Sequence, residues 1–195
     1  MGYRNPSFRE LYLYRMANPG LAPERMWNYE VSLSRSFGTW GHAELTAYYS
    51  KGDNIIQVVD NHNENTGRFI NKGIEASASA RVTTGLSLSA SYSYLHTSLN
   101  DLTGAPRHQY YIGADWKALS WLHVYADVKG VGHLFVHQSY RPQSYALLNF
   151  RFDFDVVRYL TLFVRLDNVT DAAYTINRGY RMPGFTAMGG FRLKI

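Results

Sequence analysis

The groups in this chain that could carry chemistry are seven histidines, fifteen carboxylates and many hydroxyls. Their spacing argues against most of what they could do. His42, His62, His96, His108, His123, His133 and His137 are dispersed. Only His133 and His137 stand four apart. That spacing brings two imidazoles onto one metal when the backbone is helical, and Gly132 with its loop-like surroundings does not predict a helix. There is no Cys, which removes thiolate metal centres and disulfides together. No Ser sits in a Gly-x-Ser-x-Gly turn, and no glycine-rich phosphate loop follows a strand. Glu30, Glu44 and Glu75 are single carboxylates among serines and threonines. The sequence therefore predicts no enzyme, no metal site and no cofactor. What remains is recognition chemistry. Arg178, Tyr180 and Arg181 flank Gly179, and Tyr3 and Arg4 open the chain, with Tyr12, Tyr14 and Arg15 close behind. Arg offers a planar fork for paired oxygens, and Tyr offers a stacking face with a hydroxyl. These residues suit an anionic, partly aromatic ligand. The commoner role of such residues is to pack loops on each other or to bind lipopolysaccharide phosphates.

The elements that must carry these loops are read from period-two alternation. Trp27, Tyr29, Val31, Leu33 and Phe37 alternate with Asn28, Glu30, Ser32, Ser34 and Ser36. Leu86, Leu88, Ala90, Tyr92 and Tyr94 alternate with serines at 87, 89, 91 and 93. The pattern recurs from Ala43, Ile74, Tyr110, Leu122, Ala146, Leu160 and Phe185. It predicts roughly nine strands of about ten to twelve residues, near the length a tilted membrane strand needs. Strands of a soluble sandwich average about five or six. The connections at 37–41, 83–85, 117–121 and 155–159 read as tight; those at 60–68, 97–107, 132–143 and 169–183 read as long. Short turns alternating with long loops are what an outer-membrane barrel uses at its two ends.

Composition agrees. Aromatics make up 15% of the 195 residues, with 16 Tyr and 4 Trp. Trp40, Trp116 and Trp121 fall beside the short turns, and Trp27, Tyr92, Tyr94 and Tyr110 at the other strand ends, as two interfacial belts require. The polar face mixes signs: Asp115 and Lys117, Asp127 and Lys129, Arg151 and Asp153, Arg165 and Asp167. It reads as a solvated charge lattice or a docking surface for a plug. The net charge is +5, but Lys and Arg are scattered, so no nucleic-acid surface is predicted. Met1-Gly2-Tyr3 does not begin a signal peptide. An exported barrel is therefore expected to start within a longer protein.

Several motifs, in order, carry a family resemblance. Tyr-Arg-Asn-Pro-Ser-Phe-Arg-Glu-Leu-Tyr at 3–12 and Asn-Pro-Gly-Leu-Ala-Pro-Glu at 18–24 resemble a segment late in the barrel of TonB-dependent receptors. Asn71-Lys72-Gly73-Ile74-Glu75 and Asp167-Asn168-Val169-Thr170-Asp171-Ala172-Ala173-Tyr174 are similar to later family motifs. The ending from Met182-Pro183-Gly184-Phe185 resembles the closing strand, although Ile195 stands where the family usually has Phe. The resemblance implies an all-β, antiparallel transmembrane barrel in the outer membrane of a Gram-negative bacterium. Residues 1–195 would be about nine C-terminal strands of a barrel of about twenty-two. The plug domain, the energy-coupling TonB box and the N-terminal strands would lie elsewhere in the receptor. It further implies outer-membrane lipid, lipopolysaccharide and the TonB complex as partners. The ligand would be a scarce metal chelate: a ferric siderophore, cobalamin or haem. Residues 7–17 lack the His that the haem branch often carries there. The competing reading is a self-standing small barrel with a structural or adhesion role.

Overall fold

The computed structural model describes residues 1–99, 102–137 and 140–194; Ile195 lies outside the described residues. The elements are β1 (Gly2–Arg4), α1 (Phe8–Tyr12), β2 (Glu24–Ser36), β3 (Gly41–Val59), β4 (His62–Arg81), β5 (Leu86–Thr97), β6 (His108–Leu119), β7 (Leu122–Leu134), β8 (Gln143–Val157), β9 (Leu160–Asp167), β10 (Thr175–Asn177), β11 (Tyr180–Arg181) and β12 (Thr186–Leu193). Ten strands hydrogen-bond in the order β1-β2-β3-β4-β5-β6-β7-β8-β9-β12, while β10 and β11 form a separate hairpin. Each main strand pairs with its sequence neighbour, as up-and-down connection by hairpins demands. The nine alternating segments are β2 to β9 and β12.

Two compact units make up the chain: Met1–Val31, Ala47–Gly73 and His96–Asn100 form one, and Ser32–Thr46, Ile74–Leu95 and Asp101–Ile195 the other. In the second, the register turns alternation into rows. Leu88, Ala114, Ala126, Phe150, Leu166 and Ala187 align across β5, β6, β7, β8, β9 and β12. Two residues away, Leu86, Trp116, Val124, Phe152, Val164 and Gly189 form a parallel row. Between these two lies the polar row Ser87, Asp115, Tyr125, Arg151 and Arg165, which ends on the apolar Met188 of β12. Among the described residues nothing covers the two apolar rows: Leu88 in one is 42% exposed and Trp116 in the other 49%, and Leu134 is the one buried hydrophobic side chain of the core. An apolar face this large cannot stand in water. Lipid is the solvent that accepts it, because strand pairing already satisfies the backbone.

The polar face is held by short-range chemistry. Arg151 Nε lies 2.6 Å from Asp153 Oδ1, and Arg165 Nε 2.9 Å from Asp167 Oδ1, so these ion pairs run along strands rather than across them. The Arg151 guanidinium also covers the Tyr125 and Phe163 rings, at 5.8 and 5.3 Å. Phe163 is an apolar residue on the polar face. Opposite it sits Gly190, whose missing side chain leaves the space its ring fills. Tyr110 covers Gly130 in the same manner on the apolar face. An aromatic ring laid over a cross-strand glycine restores packing that the glycine gives up.

The turns at the short end fall where the sequence predicts them. Two expectations are corrected. Residues 60–68 are not a long loop. β3 and β4 meet at a two-residue turn, Asp60-Asn61, with φ of 47° and 64°. A tight hairpin needs left-handed φ at both central positions, and Asp and Asn are the non-glycine residues that tolerate it best. The two strands extend past the expected turn unnoticed because the outer end of β4, residues 62–68, is polar on both faces and reads as loop. They run 19 and 20 residues, against about ten needed to cross the bilayer, so the hairpin stands well clear of the lipid. The second correction is at the start. Pro6, Pro19, Gly20 and Pro23 predict a loop rather than a tenth strand before Trp27, yet Gly2, Tyr3 and Arg4 precede the first proline and pair with Met26, Arg25 and Glu24 as a tenth strand of the sheet. Of the connections expected at 97–107 and 132–143, residues 98, 99, 102–107, 135–137 and 140–142 lie outside the strands, residues 132–134 continue β7, and residues 100, 101, 138 and 139 lie outside the described residues.

Leu88 and Ser89 are adjacent on opposite faces. Leu88→Arg should block membrane assembly, since Arg at mid-bilayer on a lipid face costs about 2–4 kcal/mol, while Ser89→Arg should assemble normally. Heat-modifiable mobility of the two variants in detergent gels measures the difference; equal behaviour would reverse or erase the assignment of faces.

Candidate ligand-binding loops

Arg4 is the centre of the first loop system. Its guanidinium donates from Nε to Glu24 Oε2 at 2.5 Å and from Nη2 to Glu24 Oε1 at 2.8 Å. It also donates to both carboxylate oxygens of Glu10, each at 3.1 Å. Glu10 is placed by the start of α1. Ser7 Oγ accepts from the Glu10 amide and Glu10 Oε2 accepts from the Ser7 amide, a capping box that fixes the first turn. These contacts hold the Glu10 carboxyl at about pKa 2, with Arg4 the largest cause and the Ser7 amide and hydroxyl next. Arg4 likewise pushes Glu24 below the ordinary carboxylate range, aided by the Ile56 amide, which donates to Glu24 Oε1 at 2.9 Å.

The rest of the opening segment is fastened to the β3–β4 hairpin by amides. Asn18 Nδ2 donates to the Asn63 carbonyl at 2.8 Å, while its Oδ1 accepts from the Gly20 amide at 2.9 Å. Asn63 donates back, from its amide to the Met16 carbonyl and from Nδ2 to the Glu10 carbonyl. Asn65 Nδ2 donates to the carbonyls of Ala22 and Asn54, and its Oδ1 accepts from the Ala22 amide. Thus Arg4, Glu10, Asn18 and Glu24, all within the motifs that carry the family resemblance, make one clasp. Asn63 and Asn65 complete it. Sequence reasoning passes over them because their stretch reads as loop; their two-residue spacing on one strand face is the available signal.

The committed guanidinium of Arg4 separates it from Tyr3. Opposite partners in an antiparallel pair share a face. Tyr3 therefore lies with Arg25 and Arg4 with Glu24, on opposite sides of β1. Tyr3 is 74% exposed.

The second loop system follows β9. Asn168, nearly buried, adopts φ 51° and ties both ends of the loop. Its Oδ1 accepts from the Ala172 amide at 2.9 Å, and its Nδ2 donates to the carbonyls of Ala172 and Pro183. Asp171, also at φ 51°, accepts the Phe185 amide at 2.9 Å. Farther out, Gln143 exchanges hydrogen bonds with the Thr175 backbone, and Tyr145 packs on Tyr174 with centroids 4.6 Å apart. Between these anchors the β10–β11 hairpin turns at Arg178-Gly179, where Gly179 takes φ 83°. Arg178 Nη1 sits 3.0 Å from His137 Nε2 and its guanidinium lies over the Tyr140 ring, so it packs against the neighbouring loop. Tyr180 and Arg181 stay exposed.

Below Tyr174 and Ile176 the polar face hollows into a cavity of about 730 Å³, lined among others by Tyr111, Tyr145, Lys129, Glu44 and Glu75. Sequence reasoning does not single out Tyr111 or Tyr145 as lining a cavity. No group of three or more His, Cys, Asp or Glu side chains is placed to hold a metal ion among the described residues. Arg, Lys, Tyr and carboxylate over an aqueous face can bind and release a charged solute.

A family model described as TonB dependent receptor-like, beta-barrel, matches residues 1–169. The Vitamin B12 transporter BtuB of Photobacterium profundum is 26% identical over 194 residues, 93% of this chain and 32% of that protein. Among solved structures, the copper transporter OprC superposes with a TM-score of 0.76 at 16% identity, over 98% of this chain and 36% of that one. The siderophore receptor PiuA from Acinetobacter baumannii gives 0.77 at 16% identity, over 88% of this chain and 28% of that one. The two structural likenesses concern the fold. The chain spans about a third of the length of the relatives it matches.

The clasp sets a pH dependence. Because the Glu10 pKa is depressed to about 2 from 4.5, the stabilisation it provides is complete above about pH 4.5 and drains away as pH falls toward 2. Arg4→Ala should therefore expose residues 5–23 to pepsin at pH 5 and differ progressively less from the parent toward pH 2. A difference independent of pH would mean that the ion pairs do not hold the segment.

Proposed function

The chain belongs to the TonB-dependent receptor β-barrel family, and we propose that it forms the C-terminal strands and outer loops of a receptor that imports a scarce, large solute. The family places it in the outer membrane of a Gram-negative bacterium, among transporters and receptors rather than enzymes. One observation carries the proposal. The family match takes in β5 to β9, five of the six strands that carry the uncovered apolar rows. A transmembrane sheet with a polar opposite face and anchored outer loops is built to pass a solute, not to transform it.

The plug domain, the TonB box and the N-terminal strands are supplied by the remainder of the receptor in this reading. The polar face, with Arg151 and Arg165 in their along-strand ion pairs, turns toward the plug. Energy comes from the TonB complex through that remaining part. The named relatives carry vitamin B12, copper and siderophores. All three are scarce metals or metal chelates, and this supports a ligand of the same kind. Among the loop residues Arg181 and Tyr180 remain free to meet such a ligand, with Arg178 one turn away; Tyr3 belongs to the separate opening loop. Arg4 contributes by holding its loop. The self-standing small barrel is less well supported, since 93% of the chain aligns within a relative three times as long.

The test is uptake. A strain lacking the gene should lose energy-dependent accumulation of one radiolabelled solute among ferric siderophores, cobalamin, haem and copper, and normal uptake of all four would defeat the proposal. Arg178→Ala with Arg181→Ala in the full-length protein should then weaken binding of that solute, by at most about 1.5–3 kcal/mol per charged hydrogen bond lost. Its salt dependence should flatten as well. Unchanged affinity with normal surface expression removes this loop from the binding site.

A further inference from the structure

In the unit that contains Asp101–Ile195, the β10–β11 hairpin is fastened in two different ways. Its root is held by groups that do not titrate near neutrality. Gln143 bonds the Thr175 backbone, and the Met182 amide donates to the Tyr174 carbonyl at 3.1 Å. Its tip is held by a group that does. Arg178, beside the Gly179 turn, reaches the loop between β7 and β8, where its Nη1 lies 3.0 Å from His137 Nε2. The guanidinium stands 6.0 Å over the Tyr140 ring centre, and the His137 ring is 5.3 Å from the same ring. Two residues before His137, Phe135 is bridged to Thr103 and accepts the Gly104 amide at 3.0 Å, so this loop is rooted too.

A guanidinium has five donors and no acceptor, and it stays charged at every pH a protein meets. At this distance it can only donate. Nε2 must therefore present its lone pair, and the single proton of the neutral imidazole must sit on Nδ1. An imidazolium carries a proton on both nitrogens. Proton uptake turns the acceptor into a second donor and sets one cation against another. We infer that the Arg178–His137 contact is a pH-sensitive latch. It ties the tip of the β10–β11 hairpin to the β7–β8 loop in neutral medium and releases the tip in acid, while the root stays bonded. What the latch controls rests on the receptor reading, because Tyr180 and Arg181, which that reading offers to a solute, ride on the tip. The charged and titratable groups on the surrounding elements are Tyr140 and Arg141 on the same loop, Arg178 and Arg181 on the hairpin, and Arg107 and Asp101 on the connection that reaches Phe135; Asp101 lies outside the described residues. Four of these six are cations, so protonation of His137 adds charge to elements already rich in positive charge. Arg178 is exposed, so water and salt compete with the contact, and one proton is enough to undo it.

The experiment uses the full-length protein as its gene encodes it, purified in detergent. Hydrogen exchange of the amides at 175–181 is followed by mass spectrometry and corrected for the pH dependence of the chemical exchange rate. In the parent, their protection relative to the amides of β8 should fall about threefold or more between about pH 7.5 and about pH 5.5, the range in which imidazoles take up a proton. His137→Gln keeps an oxygen acceptor for Arg178 and takes up no proton, so its hairpin should stay protected at both pH values. Arg178→Ala should leave the hairpin poorly protected at both. Equal protection of the parent at the two pH values overturns the inference. So does an undiminished pH response in His137→Gln, which would assign the response to His133 or another group. Should His137→Gln fail to assemble, Arg178→Ala decides alone, and a pH response that survives it is equally fatal. Exchange at β6 to β9 reports separately on the sheet, and no solute enters the measurement. A failed latch with intact solute uptake leaves the receptor reading standing; lost uptake with a working latch removes the solute and leaves the switch.

Discussion

Everything in this structure depends on pairing the backbone strand to strand. In hydrocarbon an unpaired N–H or C=O costs several kcal/mol, so each strand that crosses must have a neighbour on both sides. That requirement frees the side chains from the task of closing a core. The result is a protein whose one buried core hydrophobe among the described residues is Leu134. Its apolar residues lie in registered rows that look outward, and its polar residues in the rows between. Specificity of register then falls to features with shape: the rings over Gly130 and Gly190, and turns that permit one geometry. A one-residue slip would carry every charge into lipid, so the two-face pattern is itself the register lock.

The loops obey a different rule. Outside the membrane, water competes for every hydrogen bond, and no apolar layer compels a loop to keep one shape. The chain answers with side chains that bond backbone. Asn18, Asn63 and Asn65 stitch the opening segment to the tall hairpin, and Asn168, Asp171 and Gln143 tether the last loop at its root and midway. Arg4 gathers Glu10 and Glu24 into the same fastening. Motifs that in the sequence look like family labels are thus loop anchors, and the exposed residues that could touch a ligand lie between anchors, not on them.

The spanning part of the fold is legible in the sequence because lipid enforces a strict period of two, and nine segments keep it. Beyond the bilayer that enforcement ends. The outer end of β4, residues 62–68, is polar on both faces, so Asn63, Asn65 and Arg68 read as loop although they lie in a strand. The Asp60-Asn61 turn lacks the glycine that usually advertises a hairpin. Arg4 is legible as a planar cation but not as a committed one, because Glu10 and Glu24 reach it only through the cap of α1 and the pairing of β1 with β2. Phe163 cannot be placed from alternation alone; its glycine partner is on another strand.

The clasp that fastens the opening segment is made of amide, carboxylate and guanidinium contacts and buries little apolar surface. Heat capacity of unfolding comes mainly from exposing apolar area to water. Releasing this segment should therefore carry almost no heat-capacity change, and its free energy should vary nearly linearly with temperature. Unlike a globular domain, such a fastening has no temperature of maximum stability near the physiological range and no cold-release branch. Cooling only tightens it, so the outer loop of this protein keeps its shape at low temperature, where hydrophobic contacts weaken.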